Sequence, residues 1–352
     1  MNKTSANKER FKSYLRKIGS GEHTSRGMTR EESADALQLM LQGDPSPAQI
    51  GAFMIAHRIR RPEPIELAGM IDTYNNLGPK IYSGKNKCRP LSFGMPFDGR
   101  NKTAPIYPLT SLLLIDASQP VILHGSGRMP VKYGITTQEL FNELGLKLGE
   151  LNINKVQEGF DKYGLAFIYQ PNHFPIADSL INYREEIGKR PPIASMELVW
   201  SAHRGEHMII SGFVHSPTEK RHVQVFDILN EENFLLIKGL EGSIDIPRSR
   251  TIISTFSKMK EKTRLKLNPE EYSLKGKDCD FMNLNKWRSS CFAAIEDGTG
   301  PLYKSLLWNA GIYFWISGLT ANISEGIHKA EQAIKSGSVK NTLNKLIEWG
   351  KE

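Results

Sequence analysis

Two glycine-bearing loops hold the residues of this 352-residue chain best suited to chemistry. The first reads Gly94-Met95-Pro96-Phe97-Asp98-Gly99-Arg100-Asn101-Lys102, and the second His124-Gly125-Ser126-Gly127-Arg128. Glycine lets backbone N–H groups approach an oxyanion closely, and Arg100, Lys102 and Arg128 add charge-assisted donors. Together the loops predict an anion site. Loops of this composition are also ordinary turns with solvated basic neighbours, so the assignment depends on the elements that hold them.

Each loop follows a short apolar run, residues 91–93 and 121–123, with an apolar helical stretch through residues 112–115 between them. Further candidate strands are 166–169, 208–213, 223–228 and 234–237, with helical stretches at 137–144 and 176–187. Strands alternating with helices predict an α/β fold with a largely parallel sheet covered on both faces. Ligands of such sheets sit beyond the carboxyl ends of strands, where Gly94 and His124 fall.

The chain before this sheet reads as helical. Thr29-Arg30-Glu31-Glu32 has capping-box spacing ahead of an apolar-periodic run that Gly43 ends. Ser46 then caps a helix opened by Pro47, and a third helix spans 64–75. The organisation expected is a basic tail over 1–28, a small helical domain over 29–80 completed by helices near 176–200, and an α/β domain over 81–352. Residues 258–280 read as a polar surface excursion, and residues 302–319 as a buried aromatic helix followed by a last amphipathic one.

Hydrophobic content of 39% and charged content of 24% are those of a globular chain. No apolar run approaches the roughly 20 residues of a membrane span, and the start lacks a leader's apolar core, so the expectation is a cytoplasmic protein with no membrane partner. Three scattered cysteines exclude a disulfide framework, and nine histidines without paired spacing argue against structural zinc. Any metal would be a loosely held Mg²⁺. Net charge is +8, concentrated in the first thirty residues, in His57-Arg58-Ile59-Arg60-Arg61 and in 258–266. Three clusters of one sign favour a polyanion partner.

With these residues the chain resembles the anthranilate phosphoribosyltransferases of glycosyl transferase family 3. The resemblance runs from about Thr29 to Trp349 and includes Met40-Leu41-Gln42-Gly43, Gln49 to Met54 and Leu307-Trp308-Asn309-Ala310. It implies a homodimer and a site for phosphoribosyl pyrophosphate. The family's GTGGD loop is here Gly94-Met95-Pro96-Phe97-Asp98, in which Pro96 removes a backbone donor and Phe97 adds bulk. The family's Asn-x-Ser-Thr segment becomes Ala104-Pro105-Ile106-Tyr107, and Lys-His-Gly-Asn becomes Leu123-His124-Gly125-Ser126. The Asp-Glu pair that holds Mg²⁺ aligns with Asp245-Ile246, leaving one carboxylate unless Glu241 folds inward. Arg184 matches the arginine that contacts anthranilate.

Two functions follow. In the first, the chain is similar to a divergent branch that lacks anthranilate chemistry and binds nucleic acid without sequence preference, as signalled by Gly99-Arg100-Asn101-Lys102 and Pro191-Pro192-Ile193-Ala194-Ser195-Met196-Glu197. It would be a homodimer contacting DNA or RNA through Arg58, Arg60, Arg61, Arg100 and Lys102, with no cofactor, rather than a tryptophan-pathway enzyme. In the second, it is a Mg²⁺-dependent phosphoribosyltransferase acting on a small aromatic or other acceptor. Ligand-binding candidates are then Gly94, Asp98, Arg100, Lys102, His124, Gly125, Arg128 and Arg184, with Asp245 the metal ligand and no catalytic residue assigned.

Overall fold

The computed structural model describes residues 3–83 and 88–351. Met1, Asn2, residues 84–87 and Glu352 lie outside the described residues, as do the side chains of Lys3 and Thr4. Four helices come first: α1 (Lys3–Ile18), α2 (Arg30–Leu41), α3 (Pro47–Arg60) and α4 (Pro64–Leu77). The expected capping boxes close at both predicted sites, with Thr29 accepting from Glu32 N and Ser46 from Gln49 N, and Pro47 in the first turn of α3. The segment read as a basic tail is instead largely the helix α1. Phe11 and Ile18 are buried on one of its faces, and its charges occupy the other.

Then follow β1 (Ile81–Tyr82), β2 (Leu91–Gly94), α5 (Tyr107–Asp116), β3 (Val121–Gly125), α6 (Thr137–Glu143), α7 (Ile153–Tyr163) and β4 (Leu165–Tyr169). Four short helices come next, α8 (Gln170–His173), α9 (Pro175–Asp178), α10 (Ile181–Ile187) and α11 (Ile193–Met196). They lead to β5 (His203–Arg204), β6 (Met208–Gly212), α12 (Ser216–Leu229), β7 (Phe234–Ile237), β8 (Ile252–Lys258) and β9 (Glu261–Leu267). Helices α13 (Leu284–Glu296), α14 (Tyr303–Ser317), α15 (Ile323–Lys335) and α16 (Ser338–Trp349) end the chain.

The main sheet runs β4-β3-β2-β6-β7-β8-β9, parallel as far as β7 and antiparallel beyond it. Because side chains alternate across a strand, its two faces feed different cores. Val121 and Leu123 join one cluster with α5, α14 and α16, whereas Ile122 joins a second with Phe53, Leu67 and Trp200 from the helical side. This is the small helical domain set against a larger α/β domain that the sequence predicts. Helix α10 packs on α3 and α11 on α4.

Two further expectations fail. Residues 223–228 lie inside α12, where His222, Val225 and Phe226 face inward at helical spacing and Pro217 occupies the first turn. The supposed excursion from 258 begins with a hairpin, since β9 pairs with β8 from Lys258↔Glu261 to Ile252↔Leu267. Its exposed residues, Glu261 to Arg264, are polar because β9 is an edge strand, and edge charges oppose pairing with another chain.

Candidate functional site

Strand order reverses between β2 and β6: β3 and β4 extend the sheet to one side and β7 to the other. Loops leaving neighbouring strands diverge at such a point and open a crevice. Phe97 and Asp98 after β2, and Phe213 and His215 after β6, line a pocket of about 200 Å³ there. That is small beside the roughly 300–1,000 Å³ of typical ligand pockets. Arg190 from the loop before α11 closes it with an ion pair to Asp98, which is buried.

Of the ligand-binding candidates, Asp98 and Arg184 line this pocket, and the buried charges in and beside it are paired within the chain. Arg100 is 2% exposed, ion-paired through Nη1 to Asp245 and hydrogen-bonded to Ser243 Oγ at 3.2 Å and to the Thr103 hydroxyl. Asp245 also accepts from Ile106 N at 2.9 Å. Glu241 does fold inward, though not to complete a metal pair. Its carboxylate accepts from the backbone N–H groups of Asn101, Lys102 and Thr103 at 3.3, 3.1 and 2.9 Å, and from Thr103 Oγ1 at 3.0 Å. Lys102 itself is exposed, and its contribution to this loop is its backbone N–H.

Mg²⁺ does not fit these residues. A guanidinium lies where the ion would neutralise Asp245, the next residue is Ile246, and among the described residues no group of three or more His, Cys, Asp or Glu side chains could hold a metal. The expected metal role of Asp245 is corrected accordingly: its partner is a fixed positive charge from the chain itself.

Arg184 is also buried, and both of its terminal nitrogens contact Glu197, Nη1 at 3.1 Å from Oε2. The Tyr74 hydroxyl donates to the same carboxylate at 3.3 Å. Burial pushes the Glu197 carboxyl up, opposed by the charge and hydrogen bonds of Arg184. An arginine so engaged has no free fork for an acceptor carboxylate. Arg128 is half exposed and paired with Glu139 at 2.8 Å.

Gly94 has a packing role. A Cβ there would lie 1.9 Å from the Leu198 carbonyl oxygen, so glycine is required by the backbone crossing behind β2. At Gly125 the same atom would meet only ordinary contacts at 3.5 Å or more. His124 sits between Phe97, edge-on at 5.2 Å, and Trp200 at 5.5 Å, and neither ring nitrogen has a hydrogen-bond partner among the described residues. Burial lowers its pKa from 6.5 to about 3, so it is a neutral ring.

The burial of His124 has a pH-dependent cost. The unfolded chain takes up a proton at His124 below about 6.5 and the folded chain only near 3, so stability falls as pH drops through that window. His124→Phe should melt near wild type at pH 7.5 and outlast it by a few kcal/mol near pH 4.5, because phenylalanine has no proton to gain. Thermal melts of both proteins across that range check this, and parallel curves would refute it. His203 and His222, which burial holds near 4, contribute to the slope that remains.

A second, wider cleft of about 730 Å³ adjoins the pocket, between the end of α3, the 190–192 loop and the start of α12. Arg58, Arg61, Arg190 and Arg221 line it together with His215 and Thr218, and no carboxylate does. Arg58 donates to the Arg190 carbonyl. Arg61 and Arg221 have no ion-pair or side-chain hydrogen-bond partner among the described residues, and Arg221 is depressed first by burial and then by the charge of Arg61. Of the sequence candidates, Arg58 and Arg61 reach this cleft. Arg60 turns inward instead to Glu66 and Glu63, and Arg100 is buried. Arg190 and Arg221 were missed. The only sequence signal for Arg221 was a basic pair, Lys220-Arg221, shortly after Pro217.

Comparison with known proteins gives this arrangement a family. Residues 12–78 match the model for the glycosyl transferase family helical bundle domain, and residues 119–340 match that for the family's a/b domain. The chain belongs to this family, glycosyl transferase family 3. It is 25% identical over 309 residues to an uncharacterized protein of Aquifex aeolicus, covering 87% of this chain and 93% of that one. It is 24% identical over 340 residues to the anthranilate phosphoribosyltransferase of Rhodopseudomonas palustris strain HaA2, covering 96% and 97%. Among solved structures, the Thermus thermophilus anthranilate phosphoribosyltransferase superposes with a TM-score of 0.79 at 17% identity, over 97% of this chain and 99% of that one. The Saccharomyces cerevisiae enzyme in complex with PRPP and Mg gives 0.81 at 14%, over 97% and 98%. At these identities the two superpositions establish the fold. No helix among the described residues is long and apolar enough to cross a membrane.

Proposed function

We propose that this chain is a homodimeric nucleic-acid-binding member of the family that grips the phosphate backbone without reading bases and does not transfer phosphoribosyl groups. The observation that carries this reading is the arginine cleft: among the described residues Arg61 and Arg221 stand without carboxylate partners across an opening that Arg58 and Arg190 also line. Guanidinium groups held close together without anions gain by taking phosphate oxygens between them. Against transfer stand the small pocket at the switch point, Arg100 on Asp245, and the pairing of Arg184 with Glu197. Dimerisation is supported by an apolar groove between α1 and α3, lined by Leu15, Ile18, Ala52, Ile55, Ala56 and Ile59, the last 76% exposed.

Fluorescence anisotropy of labelled single- and double-stranded oligonucleotides across a salt series tests the reading, with PRPP and Mg²⁺ as competitor. Affinity should fall steeply with salt, vary little with sequence and resist the competitor. Saturable PRPP binding without oligonucleotide binding would overturn the proposal in favour of the transferase.

A further inference from the structure

Arg190 stands between two cavities. It lines both the small pocket at the switch point and the arginine cleft, as do Ser195, His215 and Thr218, so the two share a wall. Its Nη2 pairs with Asp98, which lines the pocket and not the cleft. The Arg190 side chain nevertheless keeps 42% of its surface exposed, against 5% for Asp98. A guanidinium carries five donors in a planar fork, so it can hold a buried carboxylate on one edge and offer another edge to an anion. The backbone is constrained as well. Pro191 and Pro192 fix their own φ and restrict the residue before them, and the Arg190 carbonyl accepts from Arg58 Nη1. Asp98, Arg190 and Arg58 thus form a chain of contacts from the buried pocket to the cleft.

We propose that Asp98 is a positioning residue for the arginine cleft, holding Arg190 from behind in the orientation that takes a backbone phosphate, without itself touching the ligand. The inference rests on the nucleic-acid reading of that cleft. An arginine that is free before binding loses rotamer freedom when it meets a phosphate; one fixed by Asp98 has lost that freedom on folding. Charge alone argues the other way. Neutralising Asp98 removes a negative charge that both Arg190 and Lys132 feel, which by itself would favour a polyanion. Salt screens that effect over about 8 Å at physiological ionic strength, whereas it does not restore a lost orientation. The buried acid therefore strengthens the binding of an anion.

Oligonucleotide anisotropy across a salt series on wild type, Asp98→Asn, Arg190→Ala and the double variant tests it. Asp98→Asn should weaken affinity roughly three- to tenfold, the range set by freeing one rotamer-rich side chain. It should also lower the slope of log affinity against log salt by up to about 0.9, one phosphate contact, which a merely structural role would leave unmoved. Added to Arg190→Ala it should bring no further loss, because Asp98 acts only through that arginine. Affinity at or above wild type, an unmoved slope, or losses that add in the double variant would each overturn the proposal. Should Asp98→Asn not fold, Arg190→Lys decides: an ammonium engaged by Asp98 has no second edge for phosphate, so affinity should fall severalfold although the charge is kept, and wild-type affinity would overturn it. Wild type that binds no oligonucleotide removes the nucleic-acid reading and this inference together, whereas a binding wild type matched by Asp98→Asn removes this inference alone.

Discussion

Replacing Arg100 with methionine should cost about 3–5 kcal/mol of stability, measured by urea denaturation. The loss arises because Asp245 is 1% exposed and Arg100 is its counter-charge; without the guanidinium the carboxylate is left to the backbone N–H groups of Ile106 and Tyr107 and the neighbouring dipoles. Combining Arg100→Met with Asp245→Asn should recover more than half of that loss, since the uncompensated charge goes with the second substitution. A transferase that used Asp245 to hold Mg²⁺ would behave differently: Arg100→Met would then leave stability near wild type and alter metal response. A single variant costing less than about 1 kcal/mol would therefore count against the pairing as described.

The second large effect concerns binding. The double variant Arg61→Ala/Arg221→Ala should weaken oligonucleotide affinity about 10- to 100-fold, and reduce the slope of log affinity against log salt by roughly 2, about 0.9 for each phosphate left without its arginine. The weakening should be uniform across sequences, since backbone contacts position but do not specify. Melting temperature should hold, because neither guanidinium has an ion-pair or side-chain hydrogen-bond partner to lose among the described residues and their mutual repulsion is relieved. Arg60→Ala is the contrasting control. It breaks the pair with buried Glu66, whose carboxyl is held down to about 2 by His57, Arg60 and the Met28 N–H against the upward push of burial, so it should lower stability without the change in salt slope. Unchanged affinity in the double variant would remove the arginine cleft from the nucleic-acid surface.

Much of the scaffold is legible in the sequence because its signals are local. The capping boxes at Thr29 and Ser46 and the apolar runs of β2, β3 and β7 lie within a few residues of what they control. The failures are cases where two local signals compete. Val223 to Ile228 alternate well enough for a strand, but the proline-opened turn at Ser216 had already committed them to α12. In α1 the periodic Phe11, Leu15 and Ile18 were masked by the density of charge around them. The site was harder. Its place beyond the carboxyl end of β2 is legible, but the second wall comes from β6 rather than β3, and the fate of each charge depends on partners far away in sequence. Arg100 meets Asp245 at a separation of 145 residues, and Arg190 meets Asp98 at 92. A sequence records that these charges exist and gives no account of which are consumed inside the fold.

The pairing of Arg100 with Asp245 also sets the order in which this scaffold could be rebuilt. Anyone wishing to install a divalent-ion site at the end of β7 cannot begin by clearing the arginine, since that first move strands a carboxylate in the interior and spends a large part of a marginal stability reserve. Adding a second acid at Ile246, also buried, would deepen the deficit while the guanidinium stays. The changes have to arrive together, with Glu241 released from its loop in the same step. A constellation of that kind behaves as a ratchet, easy to hold in its present form and reached from elsewhere only through concerted substitution.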